Sequence, residues 1–441
     1  MVLKQSEPDV EGSIAEMGRR YGLRPAFFYR HALKGFAGHF SPAAVETLRQ
    51  DPRVAYVEHD GQVHVIGVQT APPSWGLDRI DQVAQPLNGS YSYTETGSGV
   101  DVYIIDTGIR TSHGDFGGRA VAGFDAITSG GSAADGNGHG THVAGTVGGA
   151  RYGVAKGVSL IAVRVLDNSG SGSTSQVIAG LDWVTEHHTT RPAVANISLG
   201  GPASVAMDDA VRRSISDGIT FAIAAGNSSV NASTTSPARV SQAITVGATG
   251  KSDAFASFSN FGSRVDILAP GVSIVSAWFT SNTATATLSG TSMAAPHVAG
   301  AAALYLAAHP SAAPNAVASG LVAAASLNKV SGLPAETANR LLYSPTARPS
   351  APVLVAPADA ATGIAVPAKL SWRTATGAES YRIQLSRSLD FASLVLNRSG
   401  VRATSTLVSG LAANTVYYWR VRATNALGTS AWSVKRRLKT R

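Results

Sequence analysis

Cysteine is absent from all 441 residues, which removes disulfide stapling, thiol nucleophiles and thiolate-ligated zinc. That absence does not exclude export. No run of 18 or more apolar residues occurs, so no transmembrane helix is expected. The start, Met1-Val2-Leu3-Lys4-Gln5, lacks the basic and apolar regions of a signal peptide. Charged residues are scarce at 15% while apolar residues reach 44%, the balance of a large, well-buried core. At about 150 residues per domain, the length points to two or three domains.

Charge and pattern divide the chain. From Thr346 onward there are 14 Lys and Arg against 3 Asp and Glu, leaving 22 against 25 for residues 1–345. Residues 1–67 read as a small mixed α/β segment, with strands expected at Phe27–Leu33, Gly35–Phe40 and Val54–Asp60. A helix over Ser41–Leu48 is expected to be capped by Ser41, with Pro42 in its first turn. In residues 68–344, strands at Val100–Ile105, Ser159–Val165, Val194–Leu199 and Thr220–Ala225 alternate with helices beginning near Val143 and at Ser175–Thr185. That alternation predicts a doubly wound parallel α/β sheet. Residues 345–352 form a stiff Pro-rich linker. Residues 353–441 alternate with period two, as in an all-β sandwich.

The chemistry lies in three blocks of the middle segment. Gly290-Thr291-Ser292-Met293-Ala294-Ala295-Pro296 places a serine on a small-residue turn ahead of an apolar segment. A serine hydroxyl is a poor nucleophile without a base for its proton and donors for an oxyanion. The candidate base is His139, flanked by Gly138 and Gly140. Asp106, ending a buried strand, is the candidate orienting acid. Open α/β sheets bind ligands at that carboxyl edge.

The order Asp106, His139, Ser292 is the order of these three residue types in subtilisin. With these blocks, Trp75–Tyr343 resembles the subtilisin-like serine proteases, within them the proteinase K and aqualysin branch. The stretches 152–155 (YGVA), 198–201 (SLGG), 224–227 (AAGN) and 258–262 (FSNFG) extend the resemblance. It implies that Asn227 and the Ser292 backbone N–H hold the oxyanion. His142 and His297 match no catalytic position and read as structural. The "GFAGHFSPAAVETLRQDPRVAYVEHD" run resembles a subtilase inhibitor propeptide. Its implied role is that of a folding aid and internal inhibitor, removed by self-cleavage between about His64 and Thr70.

The resemblance also implies a cleft. Ser198, Leu199 and Gly200 would pair with the substrate backbone on one side, and Gly170, Ser171 and Gly172 on the other. Ala224, Ala225 and Gly226 would complete a pocket of small uncharged walls suited to large apolar or aromatic side chains. Thr235 stands where proteinase K-like enzymes often have an aromatic residue in the wall, and the outer subsite has Thr174, departures from the family's pattern. Structural calcium is implied at Asp78, Asp81, Gln82, Asn88 and Ser90, and at Asp266 with the carbonyls of Ser241 and Ala243. Asp78 and Asp81 also read as ordinary helix-start acids. The branch's terminal calcium site has no acidic counterpart near Val330.

The C-terminal segment resembles a fibronectin type III domain through Trp372, the approach from Leu411 to Tyr417 and the strand Trp419–Ala423, a pattern other β-sandwiches share. A secreted, monomeric endopeptidase is the expected activity, with its export signal upstream of Met1, protein and peptide substrates, its own propeptide as inhibitor and a polyanionic surface as partner of the basic tail. The competing readings are a scaffold or adhesin acting through that tail, and an esterase or ligase on the same acyl-enzyme.

Overall fold

The computed structural model describes every residue except 5, 23–24, 30–33, 58–66, 345–348, 350, 376, 379 and 426–427. The chain forms two compact units, Met1–Val65 and Ile66–Arg441. Parts of the expected strands Phe27–Leu33 and Val54–Asp60, of the self-cleavage window and of the linker lie outside the described residues.

In the first unit an antiparallel sheet runs in the order Pro25–Tyr29, Gly35–Gly38, Val2–Leu3, Val54–Tyr56. Helix Val10–Tyr21 is capped by Asp9 and ends at Gly22, whose φ of 65° suits glycine. In helix Pro42–Gln50, Ser41 Oγ accepts the Ala44 N–H at 3.2 Å, the expected cap. Leu3, Ile14, Met17, Phe36 and Leu48 form its core.

The second unit is built on a nine-stranded sheet. Its strands are β1 (Asp101–Asp106), β2 (Ala120–Asp125), β3 (Ser159–Arg164), β4 (Ala193–Ile197), β5 (Thr220–Ala224), β6 (Ile244–Thr249), β7 (Ile267–Pro270), β8 (Ser326–Leu327) and β9 (Arg340–Leu341). They lie in the order β8-β9-β7-β6-β5-β4-β1-β3-β2, all parallel to their neighbours except β8. Every residue of β4, β5 and β6 is buried. A sheet covered on both faces requires such continuous apolar runs.

Helices cover both faces: α1 (His139–Gly148), α2 (Thr174–His187), α3 (Val205–Ser216), α4 (Thr291–Ala308) and α5 (Pro314–Ala324). Val102 and Ile104 of β1 face a core with Val143, Val147, Val298 and Leu321. Tyr103 and Ile105 face the other, with Val177, Leu181 and Val211. Each such side chain contributes about 1.5–3 kcal/mol relative to exposure. Helix α1 starts at His139 itself, four residues earlier than expected; Gly140, Gly145 and Gly148 interrupt its apolar period, and all three are buried.

A short helix, Trp75–Ile80, is anchored by a pair far apart in sequence. Arg79 is wholly buried, its Nε and Nη2 donating to Asp253 at 2.6 and 3.0 Å and its Nη1 to the Gln82 carbonyl at 2.7 Å. Removing one partner of such a pair costs about 3–5 kcal/mol, since the remaining charge stays buried.

Residues 353–441 form two sheets. One orders Leu354–Ala356, Ala368–Trp372 and Ser405–Val408; the other is centred on Val416–Asn425 between Ser380–Ser386 and Arg436–Thr440. Exposure alternates strictly along Val416–Asn425, and Tyr417, Trp419, Val421 and Ala423 share a core with Leu370, Trp372 and Ile383. The expected period of two is therefore present.

Candidate active site

Asp106 is the last residue of β1 and fully buried, and His139 opens α1. His139 Nδ1 lies 2.7 Å from Asp106 Oδ1, which also accepts the Thr107 N–H at 2.8 Å. The carboxylate thus fixes the tautomer carrying its proton on Nδ1, leaving Nε2 free to accept. Burial of the ring opposes its charged form. The charge of Asp106, its hydrogen bond and the charge of Asp135 outweigh that, so the His139 pKa lies above its usual 6.5.

Ser292 is the second residue of α4. Pro296, four residues on, has no N–H to give the Ser292 carbonyl. The Ser198 hydroxyl replaces it, donating to that carbonyl at 3.0 Å while accepting from Asn196 Nδ2 at 2.9 Å. In return the Ser292 hydroxyl donates to the Ser198 carbonyl at 3.0 Å. The nucleophile is therefore stitched to the end of β4. The spacing of Ser292 and Pro296 was the available signal for this bond; its partner, 94 residues away, had none.

Asn227 Oδ1 accepts from both the N–H and the hydroxyl of Thr291 at 2.8 Å, which turns its amide Nδ2 outward as a donor. A methyl group built on Gly290 would stand 3.3 Å from that Nδ2 and 3.6 Å from the Ser292 nitrogen. Two donors thus open on one space beside the nucleophile, the arrangement that stabilises a developing oxyanion. Gly226 is needed next to it: its φ is 106°, and a Cβ would come within 2.3 Å of Asn260 Nδ2. Asn260, which bridges the Ala225 carbonyl and the Ser228 and Val230 N–H groups, was not singled out by the sequence.

Two cavities share the segment Ser198–Pro202. One of about 400 Å³ is lined by Ser198, Leu199, Gly200, Ala224, Ala225 and Gly226 together with Asn227, Thr235 and Ser292. The other, about 510 Å³, is lined by Gly170, Ser171, Gly172 and Thr174 together with His139, Ser198, Leu199 and Gly200. No charged side chain lines the first. All nine cleft residues named from the sequence thus surround the candidate nucleophile and base.

The proposed cation ligands fall into two places. Asp78 accepts the Asn88 and Gly89 N–H groups at 3.1 and 2.9 Å, and Asp81 accepts that of Ser92 at 2.7 Å. Asp81 Oδ1 and Gln82 Oε1 are buried without a hydrogen-bond partner. Asn88 Oδ1 instead accepts from the Ser90 N–H and hydroxyl, so these two side chains bond to each other. The Asp266 N–H donates to the Thr245 carbonyl at 3.0 Å and its Oδ2 accepts the Thr245 N–H at 2.9 Å, just after the turn that holds Ser241 and Ala243. Burial pushes the carboxyls of Asp81 and Asp266 up to about 6. Among the described residues no group of three or more His, Cys, Asp or Glu is placed to hold a metal ion. A cation would therefore rely largely on amide and carbonyl oxygens, as hard cations do.

A serine at a helix start, a histidine oriented by a buried carboxylate in the adjoining cavity and two N–H donors that open on one space are the parts of a catalyst of acyl transfer. Residues 97–358 match the subtilase family (Peptidase S8), and residues 20–65 match peptidase inhibitor I9. The chain belongs to the subtilase family and is a serine protease carrying an I9 propeptide. A relative from Thermus sp. (strain Rt41A), an extracellular serine proteinase, is 58% identical over 324 residues, covering 74% of this chain and 78% of the relative. The alkaline serine exoprotease A of Vibrio alginolyticus is 47% identical over 354 residues, 78% of this chain and 66% of the relative. A crystal structure of a cold-adapted subtilisin-like serine proteinase shares 52% identity with a TM-score of 0.60, covering 61% of this chain and 97% of that one. No helix among the described residues is long and apolar enough to cross a membrane.

His142 and His297 are buried, their rings bonded to the carbonyls of Ile274 and Met293 at 3.0 and 2.8 Å. Burial pulls both down to about 4. Between pH 4 and 6.5 the unfolded chain therefore binds more protons at these two positions than the folded one, and stability falls as pH drops through that window. Urea unfolding midpoints across it are expected to fall less in His142→Gln/His297→Gln than in the unsubstituted protein; an unchanged pH slope would contradict the assignment.

Proposed function

We propose that the chain is a secreted serine endopeptidase made as a self-processing proenzyme. The observations that carry this reading are the Asp106–His139 hydrogen bond and the Ser292 and Asn227 donors that open on one space. As Ser292 Oγ bonds to the scissile carbonyl carbon, its proton passes to His139 Nε2, and Asp106 stabilises the imidazolium. The Ser292 N–H and Asn227 Nδ2 hold the oxyanion. His139 then gives the proton to the leaving amine, and water enters by the same route to release the acyl group. The uncharged walls of the 400 Å³ cavity favour apolar or aromatic side chains over lysine or arginine. The Thermus and Vibrio relatives, named an extracellular serine proteinase and an exoprotease, support secretion.

Maturation separates the I9 segment, the internal inhibitor, from the enzyme. Strand Gly67–Thr70 pairs with Ser90–Tyr93, which favours a cut on the N-terminal side of Gly67 within the window His64–Thr70. Calcium fits the orphaned oxygens of Asp81 and Gln82 and the buried carboxyl of Asp266, where it would supply only positive charge and rigidity. The C-terminal segment reads as fibronectin type III-like; Tyr417 Oη accepting the Ala412 N–H at 2.9 Å resembles the tyrosine corner of such sandwiches. Its cations make it the part that holds a monomeric enzyme to polyanionic material. All ion pairs among the described residues lie before residue 254. Arg382 and Arg422 face each other directly across two strands.

Ser292→Ala is expected to lower turnover by about 10⁶ and Asn227→Ala by about 10²–10³. Mass spectrometry should find Ser292→Ala uncut as a 1–441 chain; normal processing or casein digestion by that variant would refute the reading. Chelation with EDTA should lower the melting temperature of the unsubstituted enzyme, and Asp81→Asn or Asp266→Asn should shrink that drop; a chelator-insensitive melting point would remove calcium. Deleting residues 346–441 should spare hydrolysis of small chromogenic peptides while abolishing low-salt retention on an anionic resin, and equal retention would sink the tethering role.

A further inference from the structure

Asp135, four residues before His139, gathers five donors, one from Thr107 and four from residues 137–141. Its Oδ1 accepts from Thr107 Oγ1 at 2.9 Å, from the Asn137 N–H at 2.9 Å and from the Gly138 N–H at 2.8 Å. Its Oδ2 accepts from the Thr141 N–H at 2.9 Å and from Thr141 Oγ1 at 2.5 Å. Thr107 follows the candidate acid and donates its own N–H to Asp106 Oδ1. Its hydroxyl also accepts the Gly140 N–H at 2.9 Å. Asn137 and Gly138 form the turn into His139, and Thr141 belongs to the first turn of α1.

Helix α1 begins on Gly138, which has no side chain to cap it. Asp135 serves as the cap from outside the usual position, and its negative charge sits at the positive end of the helix. The same carboxylate therefore fixes where the helix starts, which sets the height of the His139 ring, and where Thr107 lies, which sets the reach of Asp106.

We propose that Asp135 is a positioning residue for catalysis, a clamp that holds Asp106 and His139 in register and adds negative charge beside the imidazolium formed during turnover. The inference rests on the reading of Asp106, His139 and Ser292 as the catalytic triad. Four charged or titratable groups surround His139. Asp106 and Asp135 favour its protonated form. His142, one turn along α1, is kept neutral by burial. Arg110, whose N–H bonds to Thr141, has its guanidinium drawn away to Asn282 and the Phe279 carbonyl. The carboxylate of Asp135 is thus the second negative charge acting on the base.

Asn at 135 keeps the size and the Oδ1 acceptor but loses the charge and the acceptor for Thr141. Thr107→Val keeps the charge and cuts the hydroxyl bridge. The test is kcat and KM on a chromogenic peptide across pH, normalised to active sites titrated with a serine-directed acylating reagent, with melting points recorded alongside. Asp135→Asn is expected to lower kcat between about tenfold and a hundredfold with KM little changed, and to move the acid limb of kcat/KM to lower pH. Thr107→Val is expected to lower kcat without moving that limb, and Thr107→Ser to recover most of the loss.

An unmoved acid limb in Asp135→Asn would overturn the electrostatic part, and unchanged kcat per active site in both Asp135→Asn and Thr107→Val would overturn the clamp. Losses of kcat that vanish once active sites are counted would reduce Asp135 to a purely structural cap. Ser292→Ala run in parallel separates the two readings: if it retains activity, the triad assignment itself fails, whatever Asp135 does.

Discussion

Close approach between helix α4 and the sheet is the constraint from which the site follows. Of the fourteen residues from Met293 to Leu306 all but Tyr305 are buried, and the buried ones except His297 are small or apolar, as a helix buried all round requires. Alanine and glycine let its backbone come near: a Cβ on Gly300 would already lie 2.6 Å from Val154. Driven under the strand ends, α4 brings its first-turn amides to the carboxyl edge of a parallel sheet, where β1, β4 and β5 deliver Asp106, Ser198 and the approach to Asn227. Burying that helix therefore also aims the nucleophile.

The polar contacts around the helix start are consequences of the same burial. Pro296 leaves the Ser292 carbonyl without its helical donor, and a buried unpaired carbonyl is costly. The Ser198 hydroxyl answers it, joining β4 to α4 just where the two candidate cavities meet. Asn227 in turn bonds Thr291 twice, so the oxyanion side is fixed to the same turn. The geometry of the candidate site is held by hydrogen bonds that the fold needs anyway.

Much of this was legible along the chain. The runs in β1, β4 and β5 read as buried parallel strands, and the chemistry-bearing blocks lie where those strands end. His142 and His297 read as structural from the sequence, and both rings are buried and bonded to backbone carbonyls. What stayed hidden was long-range or irregular. The Arg79–Asp253 pair joins positions 174 residues apart, and no local period announces it. Helix α1 starts at His139 because Gly138 turns left-handed and Asp135 caps it remotely, whereas its glycines broke the apolar pattern that would have marked its start. Asp135 reads as a loop residue because it caps the helix from four residues before its start and because its one distant donor, Thr107, lies 28 residues away.

The account's central claim is that Ser292 is activated by the His139–Asp106 pair, and covalent labelling reads this most directly. Incubation of the purified enzyme with a fluorophosphonate at neutral pH, followed by peptide mapping, should give a single adduct on Ser292. The rate of labelling should collapse in His139→Ala. An adduct on another residue, or labelling of Ser292 at an undiminished rate in His139→Ala, would contradict the account.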